Sequence, residues 1–366
     1  MADLAPMVES NSAGRFRARL VLAMFLAATS FFIAITFSPL KSGFADAPDR
    51  GPGDVQLYRA EVGRIHGGQS YYDVAAAELR QRGYPTRSIF NWRTPLPVWL
   101  IGVLPEFSLA NAMLGAFAFA LLCFSFHLLA DEAGLKQAML AVLLLSGALM
   151  PCVLGELVVM SELWSGVLIA LSAACFGVRR PALGVLAGVA ALFFRELAAP
   201  YCLVCVVLAV SGRNYRELAQ WSLGLAAYGI FFALHVLQVL PRITPDDIAH
   251  ANGWICLGGA GFLISTVQMN AYLLLLPQWV TAIYLGCALL GCATWNTPAG
   301  RRIGLAIAAY SIAFSLVGHD FNQYWGSLTA PLLCLAASRF PSTIRQLCRA
   351  VAPAPWTGRG RFLASQ

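Results

Sequence analysis

Residues 20–37 read LVLAMFLAATSFFIAITF, a run without a single charged side chain. At about 1.5 Å per residue, a helix of this length covers roughly 27 Å, close to the hydrocarbon thickness of a bilayer. Inside lipid the backbone must satisfy its own hydrogen bonds, which leaves helices and closed barrels. Small and aliphatic residues dominate the run and the alternation of a barrel strand is missing, so helix is the expected form. Arg15, Arg17 and Arg19 precede the run, and Ser38, Pro39, Leu40 and Lys41 follow it where a cleavage site would need small residues. A retained anchor is expected, with residues 1–19 as a cytoplasmic tail.

Similar runs recur outward from this one, at 109–129, 138–154, 162–178, 219–239, 280–295, 304–317 and 325–337. Two shorter arms, 183–194 and 198–210, form an apolar hairpin. Of the 366 residues, 58% are hydrophobic and only 12% charged, with a mean hydropathy of +0.67. Soluble domains carry about 25% charged residues. The expected fold is therefore all-α, a polytopic transmembrane helical bundle over residues 20–338. The net charge of +7 is no footprint for nucleic acid. Lys136, Arg179, Arg180, Arg213, Arg216, Arg301, Arg302 and Arg339 sit at the ends of apolar runs, as cytoplasmic flanks do.

Placing all these basic flanks on one side gives about ten spans, provided that 256–276 is an interfacial or re-entrant element. Both termini are then cytoplasmic, residues 339–366 form a basic tail, and the bacterial inner membrane is the expected location. The ten cysteines show no metal-ligand pattern. Cys202 and Cys205 have CxxC spacing, but Leu203 and Val204 between them mark a helix interior, where cysteine behaves as a small hydrophobe.

The same arrangement gathers the remaining polar residues on the non-cytoplasmic side. Asp54, Glu61, His66, Asn91, Arg93, Glu106, Glu156, Glu162, Arg195, Glu196, Asp246, Asp247, His250, His319 and Asp320 all fall there. Residues 38–107 form a first outer loop far longer than the 2–8 residues of ordinary helix–helix connections. Within it, 55–62 and 71–82 look like short surface helices, and 96–104, bounded by Pro95 and Pro105, is too short to cross. Its carboxylates could activate a hydroxyl and its aromatics, Tyr58 and Trp92 among them, could stack on a sugar. The plain alternative is a solvated loop. Arg195 and Glu196 interrupt the apolar hairpin, and charges so placed are expensive unless paired or functional. Glu156 and Glu162 flank the turn before residue 163. His319, Asp320 and Asn322 lie in a dense polar–aromatic turn whose Tyr324 and Trp325 could equally be interface anchors.

Four stretches together resemble the GT-C superfamily of integral-membrane glycosyltransferases. They are GDVQLY at 53–58, FNWRTPLPVWL at 90–100, MSELW at 160–164 opening an apolar run, and Arg195 after a short helix. The resemblance covers roughly residues 20–210. It implies a polyprenyl-phosphate-linked sugar donor, a glycan or lipid acceptor and membrane lipids as partners. It further implies an inverting transfer with Asp54 as base. Arg195 and Arg93 would neutralise the departing phosphate, with Glu156, Glu162, Glu196, Tyr58, Trp92, His319, Asp320 and Asn322 in supporting or substrate-binding roles. The chain departs from the pattern in lacking a clear second acidic pair and a large C-terminal domain, which leaves acceptor type and a divalent metal open. A transporter or flippase for a lipid-linked or anionic solute, and a non-catalytic envelope-assembly protein, are the competing readings.

Overall fold

The computed structural model describes residues 12–38, 53–249 and 257–352. His250, residues 39–52 of the long loop and residues 353–366 of the basic tail lie outside the described residues, as does the side chain of Asp320. Every described element is helical, as the apolar runs predict.

Among the described residues, four helices are long and apolar enough to cross a membrane. These are α1 (Ser12–Thr36), α5 (Phe107–Ala133), α6 (Leu135–Leu149, extended by a 3-10 turn to Cys152) and α10 (Tyr215–Val239, likewise extended to Arg242). Shorter apolar helices are α7 (Ser161–Gly177), α8 (Pro181–Phe194), α9 (Ala199–Ser211) and α13 (Gln278–Cys292). α14 (Pro298–Leu316) and α15 (Ala330–Val351) complete the bundle. α7 is its axis: fifteen of its residues are buried, and it packs against α5, α8 and α14. The long helices instead turn Leu and Phe side chains outward, among them Leu26, Phe119, Leu143 and Ile230. An apolar outer surface around a small-residue interior is the pattern of helices solvated by lipid.

Among the described residues of the stretch 256–276, no single helix runs from end to end, in line with the expectation that it is not a full span. Those residues hold α11 (Gly259–Val267) and α12 (Ala271–Leu274), separated where Asn270 is extended and its side chain caps Tyr272 N at 3.0 Å. Several other boundaries differ from the sequence expectation. The expected run at 325–337 is split. Residues Asp320–Leu328 form a 3-10 helix, and α15 starts only at Ala330. α15 then continues through Pro341 to Val351, so residue 339 is no boundary. Arg339 is buried over the Trp295 ring at 5.3 Å. Arg302, expected as a solvated flank, is buried too. Its Nη2 donates to Glu217 Oε1 at 2.5 Å and its guanidinium stacks 3.5 Å from the Phe176 ring centroid.

The long loop forms a subdomain of its own. α2 (Gly53–His66), α3 (Tyr71–Gln81) and α4 (Leu96–Val103) share a core of Leu57, Val62, Ile65, Val74, Leu79, Trp92 and Ile101. These are therefore not simple surface helices. α4 has only eight residues, about 12 Å of rise, and Gly102 lets it approach α2 at Ile65. The subdomain is clasped to the far end of α10. Arg80 reaches Asp247 with two bonds of 2.8 and 3.0 Å, Arg242 reaches Asp73 at 2.8 Å, and Thr86 N donates to Ile248 O at 3.0 Å. The Arg80 hydrogen bonds hold the Asp247 carboxyl well below the usual range.

Candidate functional site

Arg195 breaks the α8–α9 hairpin because its backbone is extended (φ −152°, ψ 121°) and the 3-10 turn Glu196–Ala198 follows. α8 has fourteen residues, about 21 Å of helix. That is short of a hydrocarbon slab of about 30 Å, so the break carries charge into apolar surroundings. Such charges need partners. Arg195 Nε lies 2.9 Å from Glu162 Oε1, a charge contact rather than an aligned hydrogen bond, and its Nη1 meets Glu196 Oε1 at 2.5 Å.

Glu162 is the hub. It stands in the first turn of α7, where the unpaired backbone N–H groups favour a negative charge. The same Oε1 atom also receives Arg93 Nη1 at 2.5 Å. Two guanidiniums from two parts of the chain thus share one fully buried carboxylate oxygen. Arg93 is held in place from several directions. Its Nε donates to Tyr58 Oη at 2.7 Å, Nη1 to Ser161 Oγ at 3.1 Å and Nη2 to Tyr324 Oη at 3.3 Å, while its own carbonyl accepts from Tyr71 Oη at 2.6 Å. Burial works most strongly against the Arg93 charge, but Glu162, Tyr58, Tyr324 and Asp54 together outweigh it and keep the group's pKa above its ordinary value.

Asp54 lies in the first turn of α2, half-buried, and accepts a hydrogen bond from Tyr84 Oη at 2.9 Å. Burial, and then the Asp54 charge, push the Tyr84 phenol upward. Asp54 is close enough to act electrostatically on Tyr58, Arg93 and Tyr324. Asp54, Tyr58, Arg93, Glu162, Arg195, Glu196 and Asn322 therefore belong to one region, where α2, the start of α7, the α8–α9 break and the 3-10 helix converge. Asn322 joins through Tyr324, whose hydroxyl donates to Asn322 Oδ1 at 3.4 Å.

Two other expected site residues, Trp92 and Glu156, do not join these bonds, whereas His319 caps the 3-10 helix and its carbonyl accepts from Asn322 N at 2.8 Å. Trp92 is buried in the subdomain core with Nε1 donating to Thr86 O at 3.0 Å, so its ring is not a platform for a sugar. Glu156 is exposed and pairs with Arg59 at 2.6 Å, away from the Arg93 cluster. His319 is buried and stacks on Phe321 at 5.1 Å.

The structure adds Glu61, Tyr71, Tyr84, Ser161 and Tyr324. Glu61 is the most telling. It is 2% exposed and its Oε2 has no hydrogen-bond partner. Burial, with Arg93 opposing and Glu78 assisting, raises its pKa to about 8. The one sequence signal for it is spacing: Asp54, Tyr58 and Glu61 stand at i, i+4, i+7 and so share one helical face. Among the described residues, no group of three or more His, Cys, Asp or Glu side chains is placed to hold a metal ion.

No protein-family model matches the chain, and no curated protein or solved structure matches it either.

Proposed function

We propose that the chain is an inverting membrane glycosyltransferase that takes its sugar from a polyprenyl-phosphate donor at the non-cytoplasmic face of a bacterial inner membrane. The single observation that carries this reading is the convergence on one region of a half-buried carboxylate, Asp54, and two buried arginines that share Glu162. Transfer from a lipid phosphate needs both functions side by side. A base must take the acceptor's proton, and fixed positive charge must receive the leaving phosphate.

In this mechanism Asp54 removes the proton of an acceptor hydroxyl as that oxygen attacks the anomeric carbon. The bond between the anomeric carbon and the phosphate oxygen breaks, and its electron pair leaves with the phosphate. Attack and departure on opposite faces invert the anomeric centre. Arg195 and Arg93 offset the charge that develops on the phosphate, and Glu196, one-third exposed on its side chain, is the partner that the phosphate displaces. The acceptor is a glycan or lipid of the cell envelope. Ten crossings with both termini cytoplasmic would put this region on the outer side.

The alternating break at Arg195 also fits a transporter for a lipid-linked or anionic solute, since discontinuous helices there bind charged groups. One experiment separates the two. The purified full chain in lipid nanodiscs is assayed for sugar transfer from a polyprenyl-phosphate sugar, beside Asp54→Asn. The expected result is transfer by the parent and a loss of at least a thousandfold in the variant, with unchanged thermal unfolding. Full activity in Asp54→Asn would remove Asp54 as the base, and translocation without transfer by the parent would establish the transporter.

A further inference from the structure

The 3-10 helix Asp320–Leu328 carries two buried N–H donors that have no acceptor among the described residues. Asn322 is 3% and Trp325 6% exposed, and neither Asn322 Nδ2 nor Trp325 Nε1 has a hydrogen-bond partner. A 3-10 helix has three residues per turn, so side chains at i and i+3 eclipse one another. Asn322 and Trp325 therefore stand on one face, above the fully buried Leu328. Leaving such groups unpaired is costly, so a native structure that keeps two on one face calls for an occupant.

The neighbouring hydrogen bonds fix what kind of group the face accepts. Arg93 has no acceptor atom, so when its Nη2 points at Tyr324 the Tyr324 proton must go elsewhere. It goes to Asn322 Oδ1. That uses the acceptor end of the Asn322 amide and leaves the donor end free. The cation at the head of this chain polarises it and strengthens the last donor. Trp325 Nε1 is donor-only by nature. A hydroxyl is a weaker acceptor than a carbonyl or carboxylate oxygen and brings a proton of its own, for which these two residues offer only the second lone pair of Asn322 Oδ1. An acyl oxygen, which accepts and does not donate, matches both.

The face is also rigid. A β-carbon on Gly326 would collide with the Thr266 carbonyl, and one on Gly166 of α7 with the Ser327 carbonyl. Backbone therefore meets backbone on both sides of the 3-10 helix. Trp325 is further wedged between Phe262 and Phe314, with ring centroids at 6.3 and 6.2 Å. Donors held this firmly lose little entropy on binding.

We propose that Asn322 and Trp325 form a subsite that selects a sugar bearing an acyl oxygen, either the amide carbonyl of an N-acyl group or a ring carboxylate. The subsite rests on the glycosyltransferase reading for its place beside a sugar phosphate, and it specifies the sugar class that the guanidinium pair leaves open. The test is equilibrium binding of three probes to the detergent-solubilised full chain: N-acetylglucosamine 1-phosphate, glucuronic acid 1-phosphate and glucose 1-phosphate. One of the two acyl-bearing probes is expected to bind at least tenfold more tightly than glucose 1-phosphate, and which one does identifies the acyl group. Trp325→Phe, which keeps a ring between Phe262 and Phe314, is expected to bring that ratio close to one, as is Asn322→Asp. As a second readout, the indole N–H resonance that Trp325→Phe deletes should move in the parent when the preferred probe is added. Equal binding of all three probes, or a ratio unchanged in Trp325→Phe, overturns the subsite and leaves the transferase reading standing. Binding of none of the three overturns both.

Discussion

Glu61 and Glu162 are two buried carboxyls near the same arginine, and their surroundings send them in opposite directions. Glu162 has Arg93 and Arg195 on one oxygen and stays charged as their shared counterion. Glu61 has an oxygen with no partner, and burial raises its pKa from 4.5 to about 8. Because its pKa is raised on folding, Glu61 contributes stability that is complete below about pH 4.5 and is lost as pH rises through about 8. The two limits differ by on the order of 5 kcal/mol. The melting temperature should fall between pH 6 and pH 9, and Glu61→Gln should flatten that fall when thermal unfolding is followed across the range. Glu162→Gln should behave differently. It leaves two buried guanidiniums without their shared charge, so a loss of about 3 kcal/mol is expected, measured by the same unfolding at neutral pH.

The sequence singled out Arg93, Glu162 and Arg195 because charge inside apolar surroundings is costly enough to be conspicuous. Glu61 was hidden, since its segment is polar enough to pass for a solvated loop and only the i, i+4, i+7 spacing betrays an inward face. Trp92 misled for the converse reason. An aromatic in a polar loop looks available, but here the loop has a core of its own.

At the scale of elements, helix boundaries separate what was legible from what was not. Long apolar runs set α1, α5 and α10 by composition alone. The 3-10 helix Asp320–Leu328 could not be found in this way, because Trp325 and Leu328 look like the start of the next span. Its conformation is set by close backbone packing at Gly326 and Gly166, which is a tertiary cause. Gly326→Ala should therefore cost about 1–3 kcal/mol through overpacking. Gly63→Ala, in α2 with open space around it, should be neutral or stabilising by up to about 1 kcal/mol. Paired thermal unfolding curves check both, and equal effects would mean that the 3-10 helix adapts freely.

For the whole molecule, the clasp between the loop subdomain and the end of α10 joins parts that are far apart along the chain. Arg80 and Asp247 are separated by 167 positions, and Asp73 and Arg242 by 169. A ribosome delivers the chain from its N-terminus, so the subdomain emerges long before the residues that fasten it. Until then α2, α3 and α4 are held to the bundle only through earlier-made contacts such as Arg93–Glu162 and Arg59–Glu156. Nascent chains truncated after residue 230 should thus be cut readily within residues 53–93 by added protease, while chains extended past residue 260 should resist. Equal resistance would show that the subdomain docks without the clasp. The later-made end of α10 acts as a latch on an early-made part: a chain that stalls before α10 is complete keeps the Arg93–Glu162 pair but lacks the second fastening at Arg80 and Asp73.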